Sequence, residues 1–247
     1  MGKSRENKML ITGIAGEIGR FIAEAFLDEG WCIFGLDLKP DQGFANRPGV
    51  FYQQCDLSIA AAAAEAIDRF CAEHGPFDVV INCAGIIANS PLLSFSGGRL
   101  ACHDPKLWDS VIVSSLSSAF YTTAYSVRHM VGAARKGVVI NISSICANGN
   151  PGQVAYSAAK AGLNGMTKAL AKELGPLGIR VVGLAPGYFD TSSTRANVTP
   201  ARLKDVQNAV PLKRLGKLEE IVTAIRFILT NEYLNGAIIP LDGGMVL

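Results

Sequence analysis

From residue 8 to residue 240, short apolar runs alternate with longer segments whose apolar residues recur at helical spacing. Continuous runs of Val, Ile, Leu and Phe mark strands covered on both faces. Helices between such strands carry the chain back to the same end of a parallel sheet. The pattern predicts seven strands, Lys8 to Ile11, Trp31 to Leu36, Val50 to Gln54, Phe77 to Asn82, Gly137 to Ile142, Ile179 to Leu184 and Ala237 to Pro240. Helices are predicted over Glu17 to Glu29, Ile59 to His74, Lys106 to Val131, Val154 to Leu174 and Leu218 to Thr230. The Ala60 to Ala64 run shares a helical stripe with Ile59, Ile67 and Phe70 and reads as packed helix. The expected architecture is α/β: a single doubly wound Rossmann domain over residues 1–247, with a seven-stranded parallel sheet and helices on both faces.

Two stretches, Cys83 to Pro105 and Pro186 to Leu215, lack clear periodicity. Loops of that length are usually lids or binding segments. Both leave a predicted strand at its carboxyl end, where open parallel sheets bind ligands. Residues 186–215 are therefore expected to form a substrate-binding lid.

Composition narrows the choice of partners. With 49% hydrophobic and 18% charged residues, the chain is core-rich and not disordered. A net charge of +2 from 23 basic and 21 acidic residues is too weak for a phosphate-backbone binder, so a small-molecule substrate is expected and nucleic acid is not. No uncharged apolar run approaches the roughly 18 residues of a membrane span. The six cysteines sit singly without a C-x-x-C pair, which fits reduced thiols in a cytoplasmic chain without a signal peptide. No metal site is expected: there is no H-E-x-x-H, and G-x-S-x-G and phosphate-loop motifs are absent too. Cys102-His103-Asp104 looks like a small catalytic cluster, but adjacent side chains point apart and it reads as loop.

After the first strand the chain reads Thr12-Gly13-Ile14-Ala15-Gly16-Glu17-Ile18-Gly19-Arg20 and then turns helical. Glycines there permit a tight turn and let a pyrophosphate approach the backbone at a helix amino terminus, whose free N–H groups and dipole favour anions. Gly13, Gly16, Ile18 and Gly19 are thus candidate cofactor residues. Asp37, at the end of the second strand, can accept hydrogen bonds from ribose hydroxyls and would repel a 2′-phosphate, so NAD is favoured over NADP. Lys39 and Arg20 lie nearby and soften that preference. Asp56-Leu57 are candidate adenine contacts, with an ordinary helix-terminus charge as the other reading of Asp56. Asn82-Cys83-Ala84-Gly85 closes the fourth strand with small residues, making Asn82, Ala84 and Gly85 further candidates.

Tyr156 and Lys160 stand four apart, on one side of a predicted helix. A neighbouring cation favours phenolate and would bring a tyrosine pKa down from about 10 toward the range of a working acid or base. Carbonyl reduction and alcohol oxidation both need such a group.

The order Thr12-Gly13, Asn82-Cys83-Ala84-Gly85, Asn141-Ile142-Ser143-Ser144, Tyr156, Lys160 and Pro186-Gly187 strongly resembles the short-chain dehydrogenase/reductase family over nearly the whole chain. Leu36-Asp37-Leu38, Ala185-Pro186-Gly187-Tyr188-Phe189, Leu234-Asn235-Gly236 and Leu241-Asp242-Gly243 look most like its type-2 3-hydroxyacyl-CoA dehydrogenases. The resemblance implies that Tyr156 exchanges a proton with the substrate oxygen. Lys160 would bind the nicotinamide ribose, and Ser144 would hydrogen-bond the substrate oxygen. Pro186, Gly187 and Thr191 would flank the nicotinamide. It also implies a homotetramer, with helices 106–131 and 154–174 packing across one interface.

Three departures accompany the likeness. Glu17 stands where single-domain members more often carry the middle glycine. Ser115 falls where an asparagine usually completes the catalytic set and helps hold a relay water. Ser144 lies 12 residues before Tyr156 rather than the usual 13, so counting selects Ser143 while strand register selects Ser144. The lid carries Arg195, Arg202, Lys204, Lys213 and Arg214 against Asp190 and Asp205, a balance that would attract an acyl-CoA or phosphopantetheine, or else a solvated helix face. Three functions remain open: an NAD-dependent 3-hydroxyacyl or secondary-alcohol dehydrogenase, a reductase of a small cyclic or polyketide-like ketone, and a weakly active structural partner of a paralogue.

Overall fold

The computed structural model describes residues 7–41, 43–96, 98–197 and 200–247. Seven strands form one parallel sheet: β1 (Lys8–Thr12), β2 (Cys32–Asp37), β3 (Val50–Gln54), β4 (Val79–Asn82), β7 (Gly137–Ile142), β8 (Ile179–Pro186) and β9 (Ile238–Leu241), in the order β3-β2-β1-β4-β7-β8-β9. All six pairings are parallel. The seven-stranded parallel sheet expected from the sequence is the one observed.

Successive residues of each central strand feed different cores, because strand side chains alternate between faces. Met9, Ile11, Ile33, Ile81, Ile140 and Val182 pack against Ile22 and Phe26 of α1 (Glu17–Asp28) and Ile221, Ile225 and Ile228 of α8 (Leu218–Thr230). Leu10, Phe34, Val80, Val139 and Val181 pack on the opposite face, against Ile67 and Phe70 of α2 (Ala60–His74), Met130 of α4 (Ser118–Gly132) and Ala171 of α5 (Val154–Leu174). Burial on both faces explains why these strands read as unbroken apolar runs.

Chain order reverses between β1 and β4, which opens a crevice beyond their carboxyl ends. A buried polar ladder ties the sheet together beneath it. The Asn82 amide donates to Thr123 Oγ1 (2.9 Å) and Asn141 Oδ1 (2.8 Å), and the Asn141 amide donates to Thr167 Oγ1 (2.8 Å).

The aperiodic stretches contain structure that periodicity missed. Residues 83–105 hold an antiparallel hairpin, β5 (Leu93–Ser96) and β6 (Arg99–Cys102). Residues 186–215 hold α6 (Ser192–Asn197) and α7 (Pro200–Ala209). The predicted helix 106–131 is α3 (Pro105–Ile112) joined to α4 through a π-helical turn, Val113–Ser117. In that turn the Ser118 N–H reaches back to the Val113 carbonyl, and the bypassed Ser114 carbonyl accepts from Ser118 Oγ at 2.6 Å. No helix among the described residues is long and apolar enough to cross a membrane, and no group of His, Cys, Asp or Glu among them could hold a metal ion.

Candidate active site

The glycine-rich turn leaves β1 with Gly13 at φ +71°, in the left-handed region. A Cβ there would lie 2.8 Å from Ala84 Cα, so the turn packs directly on the backbone after β4. A Cβ at Gly19 would run into the Gly13 carbonyl oxygen. Thr12, buried at the tip of β1, fastens the two segments: its Oγ1 accepts from the Cys83 and Ala84 amides at 3.1 Å each. Gly16 caps α1 without a side-chain hydrogen bond, which leaves the first-turn amides for an anion. The Asp37 carboxylate accepts from the Ala15 N–H and the Lys39 N–H, both at 2.9 Å, and so is held beside the turn.

Across the crevice, β7 and α5 bring Ser144, Tyr156 and Lys160 together. Tyr156 and Lys160 share a buried face of α5, with the Lys160 ammonium 5.6 Å from the Tyr156 ring centroid. Lys160 Nζ donates to the Ile142 carbonyl at 2.7 Å. Ser144 caps a short 3-10 helix (Ile145–Asn148) by accepting from the Cys146 N–H at 3.1 Å, and it hydrogen-bonds Tyr156. Ser143 points elsewhere: its hydroxyl meets Asn164 Oδ1 at 2.6 Å inside α5 packing. The strand-register choice of Ser144 is thus the one that faces the phenol.

The electrostatics differ from the expected picture. Burial pushes the Tyr156 phenol above its ordinary range, and its bond with Ser144 only partly opposes this. Lys160 does not bring the phenol down in the chain by itself, because the lysine is buried too. Desolvation lowers its pKa from 10.5 to about 8.

Residues 13–246 match a family profile described as Enoyl-(Acyl carrier protein) reductase. The chain is 36% identical over 250 residues to a 3-oxoacyl-[acyl-carrier-protein] reductase FabG of Chlamydia muridarum, covering 96% of each chain. It is 33% identical to the protein of that name in Thermotoga maritima, covering 96% of this chain and 97% of the relative. An uncharacterised oxidoreductase of Schizosaccharomyces pombe is also 33% identical, over 96% and 90%. The chain belongs to the short-chain dehydrogenase/reductase family. It is accordingly an oxidoreductase acting at CH–OH, of a family that uses a nicotinamide dinucleotide. Gly13, the uncapped first turn of α1 and the Asp37 carboxylate are the groups that would hold such a molecule.

Several expected family positions are occupied differently. Asn82 is 3% exposed with its amide inside the sheet ladder, so its side chain holds strands together and does not line the crevice. Leu57 is in the core beneath α2, and Asp56 Oδ1 accepts from the Ser58 N–H at 2.9 Å, which makes Asp56 a turn former ahead of α2. Ser115 lies in the π-helical turn, and its hydroxyl accepts from the Ile86 amide at 3.3 Å. No hydrogen bond among the described residues joins it to Tyr156, Lys160 or Ser144. Gly85 packs on it, since a Cβ there would lie 2.9 Å from Ser115 Oγ. Ile18 packs against the core of α1, and Gly187 bonds the Leu241 carbonyl at 2.9 Å. Thr191 caps α6, accepting from the Thr194 N–H at 3.1 Å. His103 and Asp104 diverge as expected, His103 onto the Ser90 carbonyl and Asp104 onto the Lys106 amide.

Sequence reasoning missed a polar web behind Ser144. Gln153 Oε1 accepts from Cys146 Sγ (3.2 Å) and from Asn150 (2.8 Å), and the Gln153 amide donates to Asn89 Oδ1 (2.6 Å). A glutamine three residues before the tyrosine was the available signal. The basic excess of residues 186–215 is also smaller than its count implies, because Arg195 pairs with Asp190 at 2.7 Å and Arg214 with Glu220 at 2.6 Å. The side chain of Arg202 lies outside the described residues.

Proposed function

We propose that this chain is an NAD(H)-dependent oxidoreductase that interconverts a 3-oxoacyl and a 3-hydroxyacyl thioester. The observation that carries the proposal is the meeting of Ser144, Tyr156 and Lys160 across the crevice from a glycine-rich turn guarded by Asp37. The relatives named 3-oxoacyl-[acyl-carrier-protein] reductase support the thioester class and, together with the type-2 3-hydroxyacyl-CoA dehydrogenase likeness, favour a reacting oxygen at carbon 3.

In the reductive direction, the substrate carbonyl oxygen sits between the Ser144 and Tyr156 hydroxyls. Ser144 Oγ already accepts the Cys146 N–H, which fixes its rotor and aims its proton at the substrate. Tyr156 Oη delivers its proton as negative charge develops on that oxygen. The bound nicotinamide supplies the hydride, or accepts it in the reverse direction. Lys160, held on the Ile142 carbonyl, keeps two further N–H donors for ribose hydroxyls and for the phenolate left on Tyr156. The crevice would be lined by Gly13, Gly16, Ile18, Gly19, Ala84 and Gly85, with Pro186, Gly187 and Thr191 under the lid. Asp37 would take the adenosine ribose hydroxyls and oppose a 2′-phosphate. The free thiols of Cys55, Cys71, Cys83, Cys102 and Cys146 support a reducing, cytoplasmic setting, and a homotetramer is the expected assembly.

The test is turnover of an acetoacetyl thioester by the purified chain with NADH and with NADPH. Tyr156→Phe is expected to lower kcat by about 10³-fold or more, with NADH binding retained. Turnover that survives in Tyr156→Phe, or none in the unmodified chain on any thioester or ketone, overturns the proposal. A catalytic efficiency with NADPH equal to that with NADH overturns the part assigned to Asp37.

A further inference from the structure

Glu17 is the first residue of α1, at the position where the glycine-rich turn departs from the usual single-domain pattern. An acid in the first turn of a helix usually serves the helix dipole. Here the side chain goes further. One oxygen, Oε2, accepts both the Ser192 N–H at 2.7 Å and the Ser192 hydroxyl at 2.6 Å, across 175 residues of sequence.

Ser192 opens α6, the first helix of the lid. The lid's base is anchored through backbone bonds of Tyr188 and Asp190 with Gly216. Among the described residues, the hydrogen bonds that join residues 191–209 to elements outside the lid are the two made by Glu17. The charge of Glu17 also reaches Arg195, one turn along α6, which Asp190 pairs from the lid side.

We propose that Glu17 is a positioning residue that latches the lid to the cofactor turn, coupling lid seating to dinucleotide binding. This rests on the cofactor reading above. With the lid seated, two donors satisfy the carboxylate and turn it toward α6. With the lid lifted, it stands as a hydrated anion at the helix end where the dinucleotide's diphosphate would bind, and its charge opposes the phosphates. Each event therefore favours the other, and the coupling is reciprocal. Both partners are exposed, so the latch is weak enough to open in every turnover.

The test uses hydrogen exchange on the cofactor-free chain together with NADH affinity from fluorescence titration. Glu17→Ala is expected to speed exchange of the Ser192–Asn197 amides about three- to tenfold, while the β1 and β4 amides keep their protection and show that the fold stands. Glu17→Gln retains an acceptor oxygen and is expected to stay close to the unmodified chain in exchange. Ser192→Ala is expected to weaken NADH binding in the native background and to have no effect in the Glu17→Ala background. Unchanged lid exchange in Glu17→Ala overturns the latch, and an equal Ser192→Ala effect in both backgrounds overturns the coupling. Failure of the unmodified chain to bind NADH overturns the cofactor reading and the coupling with it, whereas the exchange result judges the latch by itself.

Discussion

Lys160 is the residue where the proposed function and stability pull hardest against each other. Its ammonium is buried and its pKa falls to about 8 in the folded chain, against 10.5 when solvated. Between those values the unfolded chain binds more protons than the folded one, so this lysine makes stability rise with pH from about 8 toward 10.5. Below about 8 the folded chain carries the full cost of a buried charge, which a single carbonyl partner does not offset. Lys160→Met is expected to raise the urea midpoint at pH 7 by an amount that shrinks as pH climbs to 9, while abolishing turnover. Cys55 and Cys71, whose thiols burial pushes up, act in the opposite sense above pH 9 but are common to both proteins and cancel in the difference, whereas Cys83, whose thiol Lys160 draws partly back down, does not, so the comparison is made at and below pH 9. A midpoint difference that is independent of pH would show that the ammonium carries no such cost.

At the scale of elements, the π-helical turn Val113–Ser117 holds Ser115 against Gly85 and Ile86, and so fixes the wall of the crevice. Its bypassed carbonyl at Ser114 depends on the Ser118 hydroxyl, which is 2% exposed. Ser118→Ala leaves that acceptor without its partner and is expected to cost about 1–2 kcal/mol, read as a lower thermal midpoint. An unchanged midpoint would mean that the turn relaxes to ordinary α-helix. Such a turn is invisible in sequence, because inserting one residue into a helix changes no residue type. By contrast, the sheet was legible because strands covered on both faces carry continuous apolar runs, and the Gly13, Tyr156 and Lys160 positions were legible because their chemistry needs fixed spacing. The hairpin was not, because Leu93, Phe95 and Leu100 turn their apolar side to solvent and no buried face imposes a period. The helices α6 and α7 were missed for a related reason: α7 is polar nearly all round. The inward direction of the Asn82 and Leu57 side chains was not legible, because a motif gives a position along the chain without saying which way the side chain faces. The pairing of Glu17 with Ser192 joins opposite ends of the chain, where local spacing carries no information.

At the scale of the molecule, four of the exposed apolar groups bear on assembly. Phe120 is 51% exposed on α4, with Val131 on the same helix, Trp108 on α3 and Val154 at the start of α5 also open to solvent. A symmetric contact would bury each of them twice. These are the helices that the family likeness assigns to an interface, so the chain is expected to sediment as a tetramer at micromolar concentration. Phe120→Asp places a charge in that contact while leaving the chain's own core untouched, because the ring is not part of it. The variant is expected to sediment as a smaller species with a thermal midpoint set by its concentration. An unmodified chain that sediments as a monomer would remove the assembly, and a Phe120→Asp tetramer would move the contact to another face.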